Sequence, residues 1–83
     1  MSQMSKRTKE RITQEILRVL FEANLIAMST NTISEELIRD DELVLSLLQD
    51  LHKMKVVKLV SDSRTRLWTL TPEAYSEYKK LSR

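Results

Sequence analysis

Residues 32–70, TISEELIRDDELVLSLLQDLHKMKVVKLVSDSRTRLWTL, change their hydrophobic period part-way and so set the fold. Thr32 and Glu35 have the spacing of a capping box, in which a hydroxyl and a carboxylate each satisfy a free backbone N–H at a helix start. This predicts a second helix beginning at Thr32 and running to about residue 39. Asp40, Asp41 and Glu42 then open a third helix, one Asp capping it and the other carboxylates suiting the positive end of its dipole. Within that helix, expected over about residues 41–55, Val44, Leu47, Leu48, Leu51 and Met54 recur at the spacing of one buried face. The pattern changes after Lys55 to Val56, Val57, Lys58, Leu59 and Val60, followed by the polar residues 61–65 and then by Arg66, Leu67, Trp68, Thr69 and Leu70. This predicts a β-hairpin with a loop of roughly five residues.

Working outward towards the N-terminus, Ile12, Ile16, Val19, Leu20 and Ala23 repeat at helical spacing, with Leu17 and Phe21 widening the stripe. They make helix one the buttress of the core. Ser29, Thr30 and Asn31 form a loop, with a short strand facing the hairpin as the alternative. Ile33, Leu37 and Ile38 supply the inner face of helix two. Beyond the hairpin, Thr71, Pro72 and Glu73 make a helix start, since Thr caps, Pro fits the first turn and Glu complements the dipole. Ala74, Tyr78 and Leu81 then share a face, with Tyr75 beside them. The expected architecture is mainly α with a small β-hairpin, an α+β fold.

In 83 residues that are 41% hydrophobic there is material for one modest core, so a flexible N-terminus (1–5) and a single domain (6–83) are expected. So small a core gains from pairing with a second copy, which points to a homodimer. Cysteine is absent, excluding disulfides and thiolate chemistry, and no apolar run is long enough to span a bilayer. The expectation is a soluble, cytoplasmic protein without membrane partners, the nucleus remaining open for a eukaryotic source. Glycine is also absent, so no phosphate-cradling loop exists, and Asn, Asp, Ser or type I geometry must make every turn. His52 stands alone, and Asp40, Asp41 and Glu42 lack the spaced ligands of a calcium loop. No catalytic site, metal or other cofactor is expected.

Glu36 and Leu37, then Val44, Leu48 and Leu51, then Val56 and Val57 resemble the pattern of a winged helix-turn-helix domain. The ending Trp68-Thr69-Leu70-Thr71-Pro72-Glu73 is similar to the close of the wing in small MarR- or PadR-like regulators. The resemblance spans roughly residues 12–81 and implies a three-helix core, a wing and a C-terminal helix. It also implies a DNA-binding transcriptional regulator that reads double-stranded DNA with helix three and a basic wing at about residues 61–66.

On that implication Ser46 and Gln49 meet base edges and Lys53 a phosphate, while Lys58, Arg64 and Arg66 hold the backbone or enter the minor groove. Lys6, Arg7, Lys9 and Arg11, which oppose the dipole at the start of helix one, add phosphate contacts or are merely a solvated basic end. Charge argues against this reading. Glu35, Glu36, Asp40, Asp41, Glu42 and Asp50 face only Arg39 within residues 31–50, a formal charge of −5, whereas residues 51–83 carry +5. Leu45 is apolar at a position assigned opposite the core. The alternative is a protein-interaction module docking through an acidic, leucine-rich helix three, with Leu43, Leu45, Gln49, Tyr75 and Tyr78 as its contact residues.

Overall fold

The computed structural model describes residues 5–62 and 64–81. Ser5 opens the first helix, its hydroxyl accepting the Thr8 backbone N–H at 3.1 Å, and α1 (Lys6–Glu22) follows. The other residues expected to be flexible, 1–4, lie outside the described residues. Ile12, Ile16 and Leu20 are fully buried along one side of α1, with Val19 and Ala23 at the edge of that stripe.

The next elements are β1 (Met28–Ser29) and α2 (Thr30–Leu37). Thr32 is not the cap. Ser29 accepts the Thr32 N–H at 3.0 Å, which starts α2 earlier than expected and leaves Glu35 exposed within the helix. The cause is tertiary: Met28 and Ser29 are held extended by pairing with Trp68 and Leu67, so the helix begins as soon as that pairing ends. Helix α3 (Asp41–Lys53) is capped as expected, Asp40 accepting the N–H groups of Glu42 and Leu43 at 3.1 and 3.3 Å.

Helices α2 and α3 are both followed by a left-handed residue. Ile38 (φ 54°) lets its own N–H reach Glu35 O and the Arg39 N–H reach Ser34 O. At Lys55 (φ 63°) the corresponding bonds run from the Lys55 N–H to His52 O and from the Val56 N–H to Leu51 O. Asn24 and Leu25, at φ 59° and 69°, turn the chain after α1. The expectation that Asn, Asp, Ser or type I turns would suffice is therefore corrected at Leu25, Ile38 and Lys55. The Schellman pairings after α2 and α3 satisfy carbonyls that would otherwise be orphaned, which offsets a steric cost of about 1–2 kcal/mol per residue. Two core assignments change with them: Ile38 is swung out to 90% exposure, and Met54, beyond the end of α3, is 64% exposed.

Strands β2 (Val57–Asp62) and β3 (Arg66–Leu70) form the hairpin, and β1 adds to its free edge in the order β1-β3-β2, all antiparallel. The register passes from Leu59 opposite Trp68 to Ser61 opposite Leu67, leaving Val60 as a bulge. The strand thus continues through residues 61 and 62, and β3 begins at Arg66, so the connection is shorter than the five residues expected. Thr71 caps α4 (Pro72–Leu81), its hydroxyl accepting the Ala74 N–H at 3.2 Å.

Side chains from α1, α2 and α3 meet Val57, Trp68 and Leu70 of the sheet in one buried cluster. Trp68 is 2% exposed and donates its indole N–H to Thr30 Oγ1 at 2.8 Å, tying the central strand to the first turn of α2. The α+β fold, a three-helix core with a wing and a C-terminal helix, agrees with the sequence reading.

Candidate nucleic-acid interface

The approach to the site begins at the turn between α2 and α3. Ser34 is buried, and its hydroxyl, which has one proton to give, lies within reach of the Thr30 and Asn31 carbonyls at 2.9 and 3.0 Å and of the Asp41 carboxylate. Asp40 and Asp41 are thus committed to building the turn, one as the cap of α3 and the other as the partner of α2. Arg39 reaches back to Glu15 of α1 at 3.8 Å. These local bonds orient α3 with Glu42, Ser46, Gln49 and Lys53 in one outward stripe, because three- and four-residue steps stay on one helical face.

The ribbon β2–β3 brings its tip to the head of that stripe, at Glu42. Arg64, Thr65 and Arg66 at its tip are exposed, and Arg64 and Arg66 line one open groove with Glu42, Asp41 and Leu45 of α3 and Asn31 of α2. Among the described residues neither arginine forms an ion pair, although both share the groove with carboxylates. The side nearest the positive end of α3 therefore carries acceptors on one wall and guanidinium donors on the other.

Not every residue named from the sequence meets here. Lys53 and Lys58 are exposed at the far end, where Lys58 shares a shallow concavity with His52, Lys55 and Glu73 at the base of the ribbon. Lys6, Arg7, Lys9 and Arg11 are exposed on the first turns of α1, and none of them lines the groove. Leu43 and Leu45 are half-buried and pack on the core, which corrects the placement of Leu45 opposite it. Tyr75 and Tyr78 lie against Phe21, with ring centroids at 5.0 and 4.7 Å, and the Tyr75 hydroxyl meets Asn24 Oδ1 at 2.7 Å. The groove also contains Asn31 and Thr65, which the sequence did not single out. With the cap placed at Thr32, Asn31 read as loop; with the cap at Ser29 it stands in the first turn of a helix.

The fold has counterparts among solved structures. MepR, a transcription regulator of the multidrug efflux pump MepA of Staphylococcus aureus, superposes with a TM-score of 0.75 at 21% identity over 84% of this chain and 53% of its own. A MarR family regulator from Neisseria meningitidis gives 0.71 at 18% identity, over 84% of this chain and 50% of that one. The fold is the MarR-type winged helix. A protein of Archaeoglobus fulgidus shares it, with a TM-score of 0.77 at 16% identity over 88% of this chain and 82% of its own. This winged helix spans about half the length of the two regulators. No protein-family model matches the sequence, and no curated protein does. No helix among the described residues is long and apolar enough to cross a membrane.

Proposed function

We propose that the protein is a regulator that binds double-stranded DNA, laying α3 along the major groove and setting the wing arginines on the phosphates or in the minor groove. The observation that carries this reading is the pair Arg64 and Arg66, exposed, free of ion pairs among the described residues, and lining one groove with Glu42, the residue at the head of the outer stripe of α3; Ser46 and Gln49 continue that stripe outside the groove. Ser46 and Gln49 then face base edges, Gln suiting adenine, while Lys53 and Lys58 take phosphates at the other end. The exposed cluster Lys6, Arg7, Lys9 and Arg11 supplies further positive charge. The fold that the chain shares with the regulators above supports the same reading.

A titration of labelled duplex at two salt concentrations tests it. Wild-type binding should weaken steeply with salt. The double variant Arg64→Ala/Arg66→Ala should bind more weakly, with a log–log salt slope reduced by about 2, one for each phosphate that a wing arginine neutralises. A slope unchanged by the double substitution refutes the role given to the wing.

The second reading, a protein-interaction module, is favoured by the formal charge of −5 over residues 31–50. It predicts negligible duplex binding at physiological salt. Its weakness is that Leu43 and Leu45, the apolar residues it would use, already pack on this chain's own core, and Asp40 and Asp41 already serve the turn.

A further inference from the structure

Asp40 and Asp41 are accounted for by the turn they build, but the third carboxylate of the triplet is not. The Glu42 side chain is exposed, is not required as the cap of α3, and forms no ion pair with Arg64 or Arg66 across the groove among the described residues. It heads the outer stripe that continues through Ser46, Gln49 and Lys53. In a helix laid in the major groove, N-terminal residues of this stripe approach base edges. A carboxylate there cannot serve a phosphate, and it only accepts hydrogen bonds. Guanine offers acceptors at O6 and N7, and thymine offers O4, so each repels it. Cytosine offers the N4 amino group with no acceptor beside it on the same base, whereas adenine places N7 next to its N6 amino group. Arg64 and Arg66 on the opposite wall lower the cost of holding a negative charge near DNA.

We propose that Glu42 is a specificity-determining residue that selects a cytosine in the major groove by accepting a hydrogen bond from its N4 amino group. The proposal rests on the DNA-binding reading. Glu42 acts as much by rejection as by attraction: it sacrifices general affinity for duplex to exclude guanine and thymine at one position. The acidity of the recognition helix, the strongest argument against DNA binding, then becomes part of how sequence is chosen.

Selection from a randomised duplex library, carried out with the wild type and with Glu42→Ala and Glu42→Gln, tests this. The wild type should enrich cytosine at one position, with binding weakened about tenfold or more when that pair is replaced. Glu42→Ala should leave the four bases within about twofold of one another at that position, keep the other preferences and bind mixed-sequence duplex more tightly. Glu42→Gln should move the preference to adenine, since an amide pairs with N6 and N7 together. Unfolding curves matching the wild type establish that the exposed substitutions leave the fold intact. Salt-sensitive binding with no enriched cytosine, or with the same preference in Glu42→Ala, overturns the role of Glu42 alone. Absence of salt-sensitive binding in all three proteins overturns the DNA-binding reading as well.

Discussion

Ile38 carries two penalties together: a β-branched side chain in the left-handed region, and an apolar surface 90% exposed to water. Its backbone is nevertheless indispensable, because the pair of bonds to Glu35 and Ser34 closes α2 and aims the chain into α3. A residue without Cβ would make the same turn unstrained. Ile38→Gly relieves a strain of about 1–2 kcal/mol and gives back about 0.4–1 kcal/mol through the greater freedom of the unfolded chain. The expected net result is a gain of about 0.5–1 kcal/mol, read as a rise of several degrees in the melting midpoint by circular dichroism. A fall would mean that the Ile38 side chain makes stabilising contacts despite its exposure.

Among the elements, α3 depends most on its first turn. Asp40 satisfies two of its free N–H groups, whereas the pairs Arg18–Glu22 and Lys80–Glu77 lie in solvent and contribute little. Asp40→Ala should therefore cost about 1 kcal/mol in urea unfolding, and amide exchange should quicken in the first turn of α3 before it does in α1. Equal quickening in both helices would show that the cap supports the whole core and not the element. The wing is set by a different device. The bulge at Val60 increases the local twist of β2, which changes the direction in which the tip of the ribbon projects.

At the scale of the whole molecule, the groove sits where a −5 segment and a +5 segment of the chain are folded against each other, so the field near it depends on which carboxylates are already engaged. The molecule measures 38 × 33 × 22 Å. Two copies reading successive major grooves on one face of B-DNA stand about 34–36 Å apart, a spacing at which molecules of this width just meet. Alongside the proposed DNA binding we expect a homodimer, with half-sites about 10 base pairs apart. The apolar concavity formed by Leu17, Val56, Ala74, Tyr78 and Leu81, the last 83% exposed, is available to such a contact. Analytical ultracentrifugation with and without a duplex bearing two half-sites checks this. A single copy per duplex at saturation would rule the arrangement out.

Local chemistry alone determined the buried stripe of α1, the Val44, Leu47, Leu48 and Leu51 stripe of α3, an Asp cap on α3, the Thr71 cap and the existence of the hairpin, because each depends on residues a few positions apart. The choice of Asp40 over Asp41 as the cap came with the structure. Tertiary structure decided what those rules could not reach. The start of α2 is fixed by strand pairing with residues 67 and 68, so Ser29 displaces Thr32 as the cap. Ile38 and Met54 left the core because each lies where its helix ends and the left-handed turn begins, and a helical period says nothing about the residue at which it stops. The meeting of Glu42 with Arg64 and Arg66 arises only once the ribbon folds back beside α3, since more than twenty residues of chain separate them and no spacing rule acts across that distance.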